Sequence, residues 1–292
     1  MRIAIYGRQF NLDVLPFVQE VFDNLSQHGV EIYVHHQLGE YLTDKIKVVQ
    51  YNVLAAGATI KGFIDLFITL GGDGTLLDMV SVIRDTNIPV IGINFGRLGF
   101  LATINKSDIA AAIFAVVNQN YTLDTRDLIS INSENEIFGD ENFALNDITI
   151  HKRDDAAMII TRVYMDNEFL NAYWGDGIII STPTGSTAYS LSCGGPIIFP
   201  ESNSLVLTPV SPHNLNVRPV VLPDSSTLSF EVESRSSNYL VSCDSRTATI
   251  DKPMRFTVQK AGFQLNLVRL SNESYLTTLR NKLLWGLDVR NY

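Results

Sequence analysis

Three glycines surround one carboxylate in TLGGDGTLL, Thr69 to Leu77, directly after the apolar run DLFITL. Glycines let backbone N–H groups approach an anion, and a helix beginning here presents its positive end to the same point. Gly71, Gly72, Gly74 and Thr75 are therefore candidates for a phosphate loop, with a plain structural turn as the alternative. The spacing is neither Gly-Lys-Ser/Thr nor G-x-G-x-x-G. A phosphate cradle disfavours an acid by charge, so Asp73 needs a reason. It could hold a metal that bridges phosphates, or accept a proton from an attacking hydroxyl.

Three further stretches carry groups of the same kind. NFGRLGFLA, ending at Ala102, has Gly96 and Gly99 for close backbone approach and Arg97 to meet phosphate. GDGIIISTPTGSTAYSLSCGGP, Gly175 to Pro196, is the densest run of small and polar residues in the chain. Its hydroxyls and backbone groups can meet a polar ligand edge, Tyr189 can stack or cap, and Asp176 stands just before a strand. TGSTA is not G-x-S-x-G and has no nearby His, which argues against a serine nucleophile. ALNDI places Asn146 and Asp147 side by side at the start of a strand. The scattered His28, His151 and His213, with the His35–His36 pair, do not form a metal set, and Trp174 and Trp285 read as packing residues.

The elements that must position these groups fall into two patterns. RIAIYG, VEIYVHH, DLFITL and IPVIGIN read as strands. Helical spacing joins them: Val14, Val18, Val21, Phe22 and Leu25 before a stop at Gly29, then TLLDMVSVIRDT with Thr75 as N-cap and Asp78 completing a capping box, then SDIAAAIFAVVNQ with Ser107 as N-cap. Strand and helix in turn predict a mostly parallel, Rossmann-like α/β sheet, with loops after adjacent strands meeting at its carboxyl edge. After about Tyr121 the segments shorten and Thr, Ser, Val and Ile dominate. Turn signals such as RDDA, MDNE, ESRSSN and KAGF recur. This half reads as an all-β sandwich or stacked sheets, with a short helix in STAYSLSCGG. NESYLTTLRNKLL returns to helical spacing. The expected division is 1–122, 123–270 and a C-terminal helical segment 271–292 packing back on the first domain.

Bulk properties narrow the class. With 292 residues, 46% hydrophobic and 18% charged, the chain has a sizeable core and is not disordered. A net charge of −9 argues against nucleic-acid and acidic-membrane partners. No run of apolar residues is long enough for a transmembrane helix, and the first strand is not a signal peptide. Cys193 and Cys243 suggest a reducing compartment, so the expected location is cytoplasmic.

GGDGTLL, NFGRLGFL, ALNDI, GDGIIISTPTGSTAYSLSCGGPI and LTPVSPHNLNVRPVVLP stand in order, and together the chain resembles the bacterial NAD kinases over roughly residues 60 to 290. The first motif is shared with 6-phosphofructokinases and lipid kinases; the fourth is close to diagnostic. The resemblance implies phosphorylation of the 2′-hydroxyl of the adenosine ribose of NAD by ATP, giving NADP and ADP, with a divalent metal such as Mg²⁺. It implies an α/β domain, a β domain with the site between them, and a homodimer or homotetramer. Asp73 matches the catalytic acid, and Gly72, Gly74 and Thr75 its phosphate-contacting neighbours. Asn146 and Asp147 match an Asn-Glu pair that binds adenine and ribose, Asp176 an acid at the nicotinamide end. Thr187, Ala188, Tyr189, Ser190, Leu191 and Ser192 match the lining of the dinucleotide pocket, and Arg246 a position that often carries Gln. The Asp at 147 is one methylene shorter than the usual Glu. The competing readings are a lipid or sugar kinase with the same Gly-Gly-Asp-Gly core, which leaves TPTGSTAYSLS unexplained, and a non-enzymatic dinucleotide sensor, which leaves the acid at the loop tip unexplained.

Overall fold

A computed structural model describes residues 1–47, 50–153, 158–234, 238–271 and 274–285. The turn signals RDDA and ESRSSN, the start of NESYLTTLRNKLL and residues 286–292 fall in part or wholly outside these. The chain forms two compact units: Met1–Thr125 with Leu265–Tyr292, and Arg126–Gln264.

In the first unit, five strands lie in the order Asn52–Leu54, Glu31–His35, Arg2–Gly7, Leu66–Leu70, Val90–Asn94, and every pair is parallel. Ile104–Asn105 and Leu267 also pair in parallel beside Val90–Asn94. Leu66–Leu70 and Val90–Asn94 are buried along their whole length, as unbroken apolar runs in a sheet covered on both faces should be. Helix Leu15–Gln27 turns Val18, Val21, Phe22 and Leu25 inward, and these pack with Ile3, Ile5, Ile32, Ile68 and the buried face of helix Ile109–Val117. Gly29 follows with φ +67, a left-handed stop that glycine adopts without a Cβ penalty.

Three local expectations are corrected here. The helix after the glycine loop runs Asp73–Ile83, and its N-cap is Gly72, which contributes no side-chain cap. Thr75 is instead inside the first turn, where its N–H donates to the Gly72 carbonyl. Asp78 pairs with Arg8 at 2.5 Å rather than closing a capping box. Helix Ile109–Val117 starts after a short 3-10 turn with Asp108, not Ser107, at its N-cap. A helix over His36–Leu42 also went unrecognised. It is only seven residues long and contains a glycine, so its two inward apolar residues, Leu38 and Leu42, are too few to show a period.

The strand pairs described below for the second unit are antiparallel. One sheet holds Glu168–Gly175, Ile159–Met165, Leu228–Ser234 and the start of Arg255–Arg269. The other runs Val220–Pro223, Ser204–Val210, Gly177–Ser181, Asp147–Lys152, Tyr239–Cys243, Arg246–Ile250. Alternate residues of both sheets meet in one core that includes Ile148, Ile178, Leu207 and Val241 from one and Val163, Phe230 and Phe256 from the other. Central strand Gly177–Ser181 is wholly buried, which gives the loops at its ends a rigid base. The short helix expected in STAYSLSCGG is Tyr189–Ser192. Helix Tyr275–Leu283 belongs to the first unit, where Lys282 lies over the Phe100 ring.

Phe22 is fully buried at the centre of the first unit's core. Phe22→Ala should lower stability by about 3–5 kcal/mol, read from the midpoint of urea unfolding at fixed slope.

Candidate active site

Gly71 ends strand Leu66–Leu70 with φ +146, and its N–H donates to the carbonyl of Ile93 on the neighbouring strand. A Cβ there would fall 2.3 Å from the Thr75 Oγ1, so the chain can turn into its helix only with glycine at this point. Gly72 and Gly74 differ. A Cβ at either would meet nothing within 4 Å. The protein's own packing does not demand their smallness.

Asp73, the first residue of the helix, does not project freely. Its Oδ2 accepts from the Phe100 N–H at 2.8 Å, and its Oδ1 from those of Leu101 at 3.1 Å and Ala102 at 2.9 Å. The second glycine loop is thus tied to the first by one carboxylate. Gly99 makes this possible: a Cβ there would land 1.8 Å from the Asp73 Oδ1. Its glycine serves Asp73, whereas Gly96 has only ordinary contact beside it. Asn94 holds the loop's other end, accepting from the Gly96 N–H and donating to the Arg97 carbonyl. Arg97 is exposed. A carboxylate has about four lone-pair sites, so three amide donors leave it capacity for one more hydrogen bond.

In the second unit Asn146 and Asp147 stand at the head of strand Asp147–Lys152. Their backbone is fixed by a residue that the sequence reading did not single out. Asp244 accepts from the N–H groups of Leu145 at 2.8 Å, Asn146 at 2.8 Å and Asp147 at 3.2 Å. On the other side Thr182 Oγ1 donates to the Leu145 carbonyl at 2.6 Å, and the Thr182 N–H to that of Asn146 at 2.9 Å. Gly185 presses against the same peptide, with a Cβ position only 2.0 Å from the Asn146 carbonyl oxygen. Asp147 is 8% exposed. Burial, and then the Asp244 carboxylate, push its pKa up to about 7.

The hydroxyl-rich segment is largely spent on itself. Ser186 Oγ donates to the Pro183 carbonyl and accepts from the Ile198 N–H. Ser190 is buried against Thr208, Oγ to Oγ1 2.8 Å, and only glycine fits at 195, because a Cβ there would lie 2.2 Å from the Ser190 hydroxyl. Thr187 Oγ1 donates to the Thr184 carbonyl. Tyr189 and Ser192 are exposed, and Ala188 and Leu191 are half-buried. Burial raises the Tyr189 pKa, with Cys193, Asp147 and Asp176 adding to it, so these groups share one neighbourhood. Asp176 itself is paired with Lys152 at 2.8 Å, a partner no motif signalled.

Arg246 is turned to structural use. Its guanidinium donates to the carbonyls of Glu141, at 2.7 Å, and of Phe143, and lies over the Phe143 ring. No spacing rule links Asp244 to a loop nearly a hundred residues earlier, so only SCDSR, a polar turn between two strand-like runs, could have drawn attention to it.

Comparison with known proteins places the chain in a family. Residues 3–121 match the ATP-NAD kinase N-terminal domain and residues 145–270 the ATP-NAD kinase C-terminal domain. The chain is 44% identical to an NAD kinase of Cytophaga hutchinsonii over 292 residues, covering all of both chains. It is 42% identical to one of Flavobacterium johnsoniae over 294 residues, again with full coverage of both. Among solved structures it shares its fold with yeast NADH kinase complexed with NADH, at TM-score 0.88, 24% identity, 100% of this chain and 89% of that one. It likewise resembles an NAD kinase from Archaeoglobus fulgidus in complex with ATP, at TM-score 0.75, 22% identity, 97% of this chain and 99% of that one. The chain belongs to the ATP-NAD kinase family and is a phosphotransferase that forms NADP from NAD with ATP as donor.

Proposed function

We propose that Asp73 receives the proton of the adenosine 2′-hydroxyl as the γ-phosphoryl group moves to it. The supporting observation is its hydrogen-bond inventory: three amides orient the carboxylate and leave it one site for an acceptor hydroxyl. Phosphoryl transfer asks the protein for positioning and charge stabilisation more than for covalent chemistry. Gly72 and Gly74, open on their Cβ sides, let donor phosphate reach the backbone N–H groups at the helix start, with Gly71 and Thr75 shaping the turn. Asn146 and Asp147 bind the adenosine. Asp147 is the shorter acid and, carrying a proton near neutrality, acts as a donor there. Tyr189, with Thr187, Ala188, Leu191 and Ser192, forms the wall of the dinucleotide pocket, buried Ser190 supports it from behind through Thr208, and Asp176, held by Lys152, faces the nicotinamide end. Arg246 supports the wall through its hold on residues 141–143.

Among the described residues no group of three or more His, Cys, Asp or Glu could hold a metal. A divalent ion, Mg²⁺ in this reading, arrives on the ATP phosphates, as that ion commonly does. We place the enzyme in the cytoplasm, in keeping with two unpaired cysteines, and as a homodimer or homotetramer, by family resemblance. No helix among the described residues is long and apolar enough to cross a membrane.

Asp73→Asn should abolish NADP formation while NAD affinity stays within roughly tenfold, about 1.4 kcal/mol; near-normal turnover of the purified variant, assayed with ATP, Mg²⁺ and NAD, overturns the role. Gly99→Ala should cut kcat by at least about tenfold, because its methyl group displaces the Asp73 carboxylate; unchanged kcat removes the positioning argument. A third expectation concerns pH. The folded pKa of Asp147, about 7, exceeds its unfolded value of 3.8, so its contribution to stability is present at low pH and is lost as pH rises toward 7. Asp147→Asn mimics the protonated side chain and does not titrate, so between pH 5 and pH 8 the parent should lose melting temperature relative to the variant, with the gap levelling off above about pH 7. Parallel melting-temperature curves across that range count against the shift.

A further inference from the structure

We infer that Asp244 is a positioning residue for nucleotide binding: it aims Asn146 and Asp147 by gripping the backbone between them, although it touches neither substrate. The inference rests on the reading above that these two side chains bind the adenosine of NAD.

A full account of the backbone supports it. Residues 145–147 have three N–H groups and three carbonyls. All three N–H groups end on the Asp244 carboxylate. The Leu145 and Asn146 carbonyls go to Thr182, and the Asp147 carbonyl accepts from the Asp244 N–H at 3.0 Å. Asp244 therefore supplies four of the six partners. Three successive N–H groups converging on one anion form a nest, which fixes the φ and ψ of the residues that build it and so the directions of their side chains. An ordinary strand end needs no such device, since water can satisfy its free groups.

Asp244 itself occupies an unusual backbone state. It sits at the turn between strands Tyr239–Cys243 and Arg246–Ile250 with φ +50, a left-handed conformation that Asn, Asp and glycine tolerate best. Glycine would relieve the backbone but forfeit the anion. The surrounding structure also holds the turn from outside, because Arg246 in the same turn is bound to the 141–143 carbonyls and its charge favours the Asp244 anion.

The charge has a second consequence. Asp147 is faced by Asp244 from the turn, by Cys243 from the end of its neighbouring strand, and by Tyr189 and Cys193 from the short helix. Burial raises the pKa of both carboxyls, but only Asp244 has amide donors that favour its anion. The pair is therefore built to keep one proton, and to keep it on Asp147. Asp244 thus sets both the direction and the charge state of the neighbouring acid.

The test is Asp244→Asn in the full chain, compared by KM for NAD, KM for ATP, kcat and the pH profile of NAD affinity. The KM for NAD should rise about tenfold or more, with the KM for ATP and kcat within about twofold. The midpoint of the pH dependence of NAD affinity, near 7 in the parent by the Asp147 pKa, should move to lower pH once the neighbouring anion is gone. A folded variant with the parent's KM for NAD and pH midpoint overturns the inference, as does an equal loss of NAD and ATP binding. Asp244→Glu keeps the anion and lengthens it by one methylene, and serves if the Asn variant does not fold; a parental KM for NAD in that variant also overturns it. A parent profile with no change of NAD affinity between pH 5.5 and 8.5 overturns the charge-state half without any variant. Asp147→Ala separates this inference from the reading beneath it. If Asp147→Ala leaves NAD affinity unchanged, the adenosine assignment fails; if it weakens NAD binding while folded Asp244→Asn does not, only the positioning role fails.

Discussion

One carboxylate accepting three successive backbone N–H groups is the interaction on which the candidate residues of each unit depend. In the α/β unit Asp73 holds Phe100, Leu101 and Ala102; in the β unit Asp244 holds Leu145, Asn146 and Asp147. A charge-assisted hydrogen bond is roughly twice as strong as a neutral one, and three aimed at a single group fix a loop without burying apolar area. Leu101, Ala102 and Leu145 are also buried, so apolar packing and the ionic clamp act on the same segments.

The rest of each unit holds its own clamp in place. In the first unit Leu66–Leu70 and Val90–Asn94 are adjacent parallel strands, so the loops that follow them emerge side by side at the carboxyl edge. Gly71 permits the turn, and Gly99 permits the carboxylate to come close. In the second unit Asp147 pairs with Ser181, and the following Thr182 and Gly185 close the far side of the same peptide. Glycines are therefore doing two different jobs. Gly99, Gly185 and Gly195 accommodate the protein's own atoms, while Gly72 and Gly74 are small although nothing in the protein crowds them.

The two clamps differ in where their acids stand. Each accepts three amides and keeps capacity for one more hydrogen bond. Asp73 stands at a helix start, where negative charge is favoured. Asp244 stands in a turn beside a second buried acid, Asp147, whose pKa it helps to raise. The same local device thus serves a helix terminus in one unit and a turn between strands in the other.

Much of this was legible in the residues. Alternating apolar runs and helical spacing gave the parallel sheet, the change in composition after Tyr121 gave the β half, and GGDGT with TPTGSTAYSLS gave the family. These are local signals: period, turn chemistry and short motifs are written in neighbouring residues. What only the tertiary structure decided is which atoms those residues meet. Thr75 offers the same hydroxyl as an N-cap or as a first-turn residue, and the helix start at Gly72 settled it. The hydroxyls of Ser186 and Ser190 are consumed by Ile198 and Thr208. Gly99 belongs to Asp73, and Asp244 grips a loop 97 to 99 residues earlier in the chain. Contacts between residues so far apart leave no period or spacing in a single sequence, because folding alone brings them within hydrogen-bond distance.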